Sequence, residues 1–475
     1  MRIIPLILLF IIAIANGAVA QEDKKDYSEA FRLIEVWLDA QTDFEKLPGI
    51  SAAIIRDQDV LWTGSWGHAN IEDNVETGVE TICSICSISK LFTSTAIMKL
   101  YDEGKLRLDD RIEDLLPWYN LEQKYELSGP VTIRSLLTHS SGLPREANYP
   151  YWTGPDFPFP SQEEMKKELG NQETLYPAST YFQYSNLAMS LLGEVVEEIS
   201  GVPYDDYISN NILDPLGLGN TRTELPEDLY GQQLAKGYSA IQRNGERYRV
   251  NLFQANGIKP AAGFSSTVTD LGKFASWQFR LLDSSEPEIL KPSTLKNMYN
   301  IHWMDPDFGT KWGLGFSVSE GPGGSRWVGH GGSCPGYRSQ LLLNPETKMA
   351  FVVMINASGT SPRKYINGMS ALLRKVSSKE KNKDNSKLKQ FTGYYSSAPW
   401  GAETYISTWN GKLAAMSLPT GSPASLTMYK HIKGDKFYRV RDNDEPGETL
   451  TFIRDDEGNI ISYKVHGNYY KKINP

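Results

Sequence analysis

The chain of 475 residues carries 49 Lys and Arg against 57 Asp and Glu, a net charge of −8, and 40% of it is hydrophobic. At about 100–200 residues per domain it is too long for one small module and suits a large domain with a smaller companion. With 25 Tyr, 17 Phe, 11 Trp and only 3 Cys, the composition excludes dominant disorder and a disulfide scaffold, and its acidity offers no attraction to nucleic acid or anionic lipid.

Arg2, the apolar run Ile3 to Ala15 and the small-residue site ending at Ala20 read as a cleaved secretory signal peptide over residues 1–20. The run falls short of the ~20 apolar residues that span a bilayer, and no later stretch reaches that length, so no stable membrane span is expected. The mature chain is expected to be secreted or periplasmic. Residues 28–40 have apolar groups at helical spacing. Gly49–Ile55 and Val60–Trp62 flank the turn Arg56–Asp59 as a hairpin. Helical patterns follow at 88–103, 186–200 and 203–211. Strands are expected at Gly313–Val318, Trp327–Gly329 and Arg338–Leu343, the last pairing across residues 344–347 with Met349–Ile355 before a helix at 362–376. Strands at both ends of a helical middle predict an α/β domain whose antiparallel sheet is built from both ends, flanked by helices, with an all-helical region inserted.

Residues 377–388 hold many charges and one apolar residue, and read as a linker between a 28–376 domain and a 389–475 domain. The second is rich in β-formers. Leu450–Ile453 and Ile460–Tyr463 around Asp455–Gly458 form a hairpin signal, and the segment reads as a small β-barrel or sandwich. Trp400, Tyr405, Trp409 and Tyr429 are assigned mainly to its core.

Familiar phosphate-loop, nucleophile-elbow and zinc motifs are absent, and the six His lie far apart, so neither a metal nor a cofactor is expected. Ser-x-x-Lys occurs five times, and spacing alone separates none of them. Only Ser87/Lys90 sits where a strand-like segment, Thr81–Ile85, turns into a strong helix. There the free amides and helix dipole favour developing negative charge, and Lys90 lies one turn on along the same face. A buried ammonium beside a hydroxyl lowers the barrier to removing its proton. In isolation the pair is more simply an N-cap beside a solvated lysine. Two further signals favour the chemical reading. Tyr184-Ser185-Asn186 opens a second apolar helix, and Val328-Gly329-His330-Gly331-Gly332-Ser333 is a strand whose glycines let a substrate backbone approach.

In that order, Ser-x-x-Lys, Tyr-x-Asn and His-x-Gly resemble the serine β-lactamase and penicillin-binding protein superfamily, nearest its class C β-lactamase-like branch of D-aminopeptidases, carboxypeptidases and esterases. Glu103–Asp110, Thr132–Pro144, Ile212–Leu218 and Ala261–Ser266 extend the likeness over about 28–376. The resemblance implies a Ser87 nucleophile with Lys90 and Tyr184 as the proton-transfer pair. It implies Asn186 holding Lys90 and the substrate amide, with Gly332 and the backbone amides of Ser87 and Ser333 shaping an oxyanion hole. It also implies a lipocalin-like C-terminal domain that covers or shapes the cleft. The departure is His330, where β-lactamases and transpeptidases usually present Lys. A mostly neutral His disfavours an anionic β-lactam and leaves Lys90 as the main cation supporting a Tyr184 phenolate.

His139 reads as structural, and Trp152 as lining either the cleft or a loop. Cys83 and Cys86 lie too far apart in an extended stretch to bridge each other, and Cys334, after the third motif, is open to approach by either; the three are expected to be small buried thiols. The resulting expectation is an exported serine hydrolase forming a Ser87 acyl-enzyme on an amide or ester, a D-amino-acid peptide among the candidates. The alternative is a penicillin-binding protein or β-lactamase with slow or β-lactam-directed turnover. A scaffold that has lost its activity fits less well, since Ser87, Lys90, Tyr184 and His330 are intact. The expected partner is a small-molecule or peptide substrate, with no nucleic acid.

Overall fold

The computed structural model describes residues 25–321, 324–376 and 385–475. The expected signal peptide, residues 1–20, and all but the last four residues of the expected linker lie outside the described residues.

Nine antiparallel strands form the central sheet: β1 (Gly49–Arg56), β2 (Asp59–Asn70), β3 (Val75–Glu76), β4 (Trp303–Met304), β5 (Lys311–Trp312), β6 (Ser317–Glu320), β7 (Arg326–Cys334), β8 (Tyr337–Asn344) and β9 (Met349–Ile355). Their spatial order is β3-β2-β1-β9-β8-β7-β6-β5-β4, so the two ends of the domain meet where β1 pairs with β9, Ile50 opposite Ile355. Both strands are apolar at nearly every position because both faces of the sheet are covered. Helices α1 (Ser28–Phe44) and α5 (Pro362–Arg374) pack on one face, with Trp37 at their contact. On the other face lies α4 (Val268–Asp283), and the same core takes in α2 (Ser89–Asp102) and α3 (Asn186–Ser200). Helix α2 is buried along almost its whole length, which fits a sequence apolar or small on every side. The Ser185 hydroxyl caps α3 by accepting from the Ala188 amide, and left-handed Gly201 ends it.

One expected strand differs. The segment Gly313–Val318 is a turn followed by β6, closed by the Gly313 amide donating to the Phe316 carbonyl (2.8 Å). Gly315 has φ +82°, and a Cβ there would strike the Ser94 side chain of α2, so the chain bends where it crosses that helix.

The C-terminal strands, from Gly393–Ser396 to Asn468–Ile473, close into an eight-stranded barrel, which decides between barrel and sandwich. Its interior is filled by Phe391, Tyr395, Leu413, Phe437, Phe452 and neighbours. Of the four aromatics assigned to that core only Tyr429 packs against it: Trp400 is 90% exposed, and Tyr405 and Trp409 pack in the core around Trp37 instead. The barrel sits on α1: Trp37 Nε1 donates to the Thr420 carbonyl (2.9 Å), Arg32 Nε to Tyr405 Oη (2.9 Å), and Glu29 accepts from Asn385 Nδ2 and the Asn410 amide (both 2.7 Å). Tyr405, Met416 and Leu418 belong to the same apolar core as Trp37. Among the described residues, no helix is long and apolar enough to cross a membrane.

Trp37 therefore joins α1, α5 and the barrel. Truncation to Ala removes a fully buried indole and leaves the Thr420 carbonyl without its donor, and urea denaturation should show a loss of about 3–5 kcal/mol. A loss under about 1 kcal/mol would mean that this junction is not a stabilising contact.

Candidate active site

Ser87 lies in a short 3-10 turn, Cys86–Ile88, that runs straight into α2. Cys86 takes φ +52°, a conformation costly for a residue with a side chain, and it turns the next side chain out of the core. Ser87 is half-buried, whereas Lys90, one turn on, is wholly buried. Lys90 Nζ donates to Asn186 Oδ1 (2.8 Å) and to the Ala261 carbonyl (2.7 Å), and lies 3.2 Å from Ser87 Oγ. Burial holds the Lys90 pKa well below its ordinary value; the Glu146 carboxylate opposes that shift and Arg145 adds to it. A neutral amine has two N–H donors and one lone pair. With two carbonyl oxygens taking those donors, the neutral form keeps a lone pair for the Ser87 hydroxyl, whereas the ammonium form donates its third N–H to Ser87 Oγ.

Asn186 is as tightly constrained. Its Nδ2 donates to both carboxylate oxygens of Glu146 (2.8 and 3.0 Å), which also accepts from the Tyr151 hydroxyl. Asn186 thus holds Lys90 as expected. It is 2% exposed, however, and its amide nitrogen is committed to Glu146 rather than to a substrate.

Tyr184 stands over this cluster, with Lys90 Nζ 4.9 Å and the Arg145 guanidinium 4.9 Å from its ring centre. Burial drives its phenol pKa well up, and a bond to Ser87 and the Arg145 charge oppose that only in part. Tyr184 therefore rests protonated, and the expected phenolate is not supported. His330 is neutral as well: burial, with the Lys90 charge, pushes it down to about 3. Its Nδ1 lies 2.6 Å from the Gly331 carbonyl, so the proton sits there, and bare Nε2 faces Tyr184 Oη at 3.5 Å, the outer edge of hydrogen-bond range. His139 supports Tyr184 from behind. Its Nδ1 accepts from the Ser185 amide (3.2 Å), and its ring packs 4.4 Å from that of Tyr184. Trp152 packs against Tyr151 and Phe159, and is not among the residues lining the cleft.

Strand β7 closes the other wall. Gly332 lies so close to the nucleophile turn that a Cβ there would meet the Ile85 carbonyl and Ser339 Oγ. The glycine thus serves the approach of strand to turn, and Ser339 Oγ donates to that same Ile85 carbonyl (2.9 Å). The structure also joins Cys86 to Cys334 as a disulfide with Cα atoms 5.6 Å apart, which corrects the reading of three thiols; only Cys83 is free, and it is buried. The bridge joins the residue before Ser87 to the residue after Ser333.

The open cleft, of about 440 Å³, brings together Ser87, Tyr184, His330, Gly332 and Ser333. No barrel residue lines it, contrary to the expectation that the C-terminal domain covers the site. Sequence reasoning missed Arg145, Glu146, Arg338 and Arg363. The first two directly follow the quoted Thr132–Pro144 segment, so a charged pair beside a motif was the available signal; the arginines of β8 and α5 carried none. Among the described residues, no group of three or more His, Cys, Asp and Glu side chains is placed to hold a metal.

A serine and a lysine at the start of a buried helix, with a tyrosine and a strand-borne His-x-Gly facing them, are the arrangement of the β-lactamase-fold serine hydrolase family. The chain belongs to the Beta-lactamase family, whose profile matches residues 37–373. It is 26% identical over 327 residues to Beta-lactamase-like protein 2 of Dictyostelium discoideum, covering 68% of this chain but 58% of that protein. It is 24% identical to a putative D-alanyl-D-alanine carboxypeptidase of Escherichia coli over 69% of this chain and 82% of the relative. Among solved structures, the octameric penicillin-binding protein homologue from Pyrococcus abyssi superposes with a TM-score of 0.63 at 26% identity, over 93% of this chain and 99% of that one.

Thiol labelling checks the bridge. Denatured without reductant the chain should take one alkyl group, on Cys83, and after reduction all 3 cysteines should react. Three labels without reductant would remove the Cys86–Cys334 bond.

Proposed function

We propose that the protein is an exported serine hydrolase that forms an acyl-enzyme at Ser87 and cleaves an amide or ester, in the manner of the D-aminopeptidase and esterase-like branch of its family. The observation that carries this is the Lys90 amine, its two donors held by Asn186 and Ala261 and its lone pair left for Ser87 Oγ. Lys90 takes the Ser87 proton as Oγ bonds to the substrate carbonyl carbon. The amides of Ser87, at the helix start, and of Ser333 stabilise the oxyanion, a contribution of about 10²–10³ in rate per donor. As the tetrahedral intermediate collapses, Tyr184 gives its proton to the leaving group and is reprotonated from Lys90. Water then releases the acyl group from Ser87 and restores the hydroxyl. His330, neutral, orients the Tyr184 hydroxyl. Export is supported by the leader pattern of residues 1–20, and the Cys86–Cys334 bond suits an oxidising compartment.

A second reading, a penicillin-binding protein that acylates and releases slowly, draws support from the likeness to the Pyrococcus homologue. The mass of the Ser87 adduct over time separates the two: steady turnover supports the hydrolase, and a stoichiometric, long-lived penicilloyl adduct the binder. Ser87→Ala should lower hydrolysis of nitrophenyl esters and D-aminoacyl anilides by at least about a thousandfold. Unchanged hydrolysis would overturn the assignment of the nucleophile.

The pH profile tests the base. Only unprotonated Lys90 accepts the serine proton, so kcat/KM should rise with pH through the lowered Lys90 pKa, with no limb from His330, whose pKa is about 3. Glu146 raises the Lys90 pKa, so Glu146→Gln should move the acid limb to lower pH; Arg145 lowers it, so Arg145→Gln should move the limb to higher pH. A limb that neither variant moves would remove Lys90 from this role.

A further inference from the structure

His139 takes part in none of the proton transfers above, yet it is wholly buried and holds a left-handed backbone, φ +56°, which is uncommon for a residue with a side chain. Burial, and then the Lys90, His330 and Arg145 charges, keep its pKa well below the ordinary value, so the ring is neutral and carries one proton. Its Nδ1 accepts from the Ser185 amide (3.2 Å), which places that proton on Nε2. The Nε2–H has no acceptor among the described residues. A phenylalanine or leucine would fill the same space without the cost of a buried, unpaired donor. The imidazole is therefore explained by its acceptor and not by packing alone.

That acceptor completes a clamp. The His139 carbonyl accepts from the Gln183 amide (2.7 Å), so one residue takes the amides on either side of Tyr184, and its ring centre lies 4.4 Å from that of the phenol. Trp312 packs against the His139 ring at 5.1 Å. A tyrosine hydroxyl moves with its backbone, and an ångström of drift at a reacting atom costs up to about a hundredfold in rate. Asn186 is anchored separately, its amide donating to the Arg145 carbonyl (2.7 Å) and its Nδ2 to Glu146. Loosening the clamp therefore falls on Tyr184 and leaves Lys90 in place.

Resting on the hydrolase reading above, we propose that His139 is a positioning residue that holds Tyr184 for protonation of the leaving group, and that it thereby determines how well the protein cleaves alkyl esters and amides. As the C–O or C–N bond of the tetrahedral intermediate breaks, its electron pair goes to the leaving atom, which takes the Tyr184 proton. The Lys90 ammonium, carrying the proton from Ser87, then restores the phenol. A nitrophenolate leaves as a stable anion and needs neither transfer; the Ser87 proton passes from Lys90 to water. This replaces the purely structural role expected of His139.

The ethyl and para-nitrophenyl esters of butyric acid test this, compared by kcat/KM, which reports acylation even where release of the shared acyl group is slow, and corrected for spontaneous hydrolysis. His139→Gly, which suits the left-handed backbone, and His139→Phe, which keeps a ring, both remove the acceptor. Each should lower the ethyl-to-nitrophenyl ratio by about tenfold or more, without moving the acid limb set by Lys90. Tyr184→Phe should lower the ratio at least as far, and adding His139→Phe to it should lower it no further. His139→Asn tolerates the positive φ and offers Oδ1 to the Ser185 amide, so it should keep the ratio within about threefold of wild type. Melting curves show that each variant is folded, and His139→Gly and His139→Phe stand in for each other if one unfolds. Equal losses on both esters, a shifted acid limb, or a ratio that falls as far in His139→Asn as in His139→Gly would overturn the role while leaving the Ser87 nucleophile intact. So would unfolding of all three His139 variants, or a wild-type chain that cleaves only the nitrophenyl ester. A wild-type chain that cleaves neither ester would overturn the hydrolase reading and this one with it.

Discussion

A lysine amine buried beneath a serine sets the terms for the rest of this structure. An ammonium at the position of Lys90 would lose its hydration, and burial therefore shifts it towards the neutral amine. A neutral amine in a core still has two donors to satisfy, and leaving them bare would cost about 1–3 kcal/mol each. Asn186 and the Ala261 carbonyl take them, and they come from segments 96 and 171 residues away along the chain. The helical insertion, the cap of α3 and the short helix Lys259–Ala262 are all arranged so that these two oxygens meet one nitrogen. Removing the fold would leave Ser87 and Lys90 an ordinary helix start.

The other wall depends on a second constraint, the closeness of β7 to the nucleophile turn. Gly332 admits that approach by having no side chain, Ser339 bridges the two, and the Cys86–Cys334 bond ties their ends. Each acts on backbone position rather than on charge. The titratable groups inside are tuned by burial in opposite directions: the Lys90 and His330 pKa values fall and that of Tyr184 rises, so all three favour their neutral forms. A site built from neutral donors and acceptors can pass protons without separating charge among buried groups, and the cationic character of the cleft comes from arginines in its lining. The barrel contributes to none of this directly. It covers the outer side of α1 and shares the core around Trp37, on the face of the sheet opposite α2.

Much of the fold was legible because periodicity survives packing. The α2, α3 and α5 segments, the β8–β9 hairpin and the barrel hairpin at residues 450–463 lie where their patterns place them. The segment at Gly313 did not, because its bend answers to Ser94 on a distant helix and not to its own neighbours. Ser87, Lys90, Tyr184 and His330 converge as the motifs implied. Glu146, Arg338 and Arg363 were not legible, since a lone charged residue reads the same whether it faces solvent or a cleft. Cys334 was seen to follow a motif, but its pairing with Cys86 rests on a separation of 248 residues that only the fold closes.

By itself, then, the sequence determined what is local or repeats: two folded regions of different character, the apolar patterns of their helices and strands, and a serine and lysine one helical turn apart. The tertiary structure decided what depends on dielectric and distance. It lowered the Lys90 pKa by burial and brought its Nζ to Ser87, kept Tyr184 protonated, committed the Asn186 amide to Glu146, and brought Arg145, Arg338 and Arg363 into the cleft lining. A protonation state follows from how much water surrounds a group and which charges stand near it, and neither quantity exists until the chain is folded.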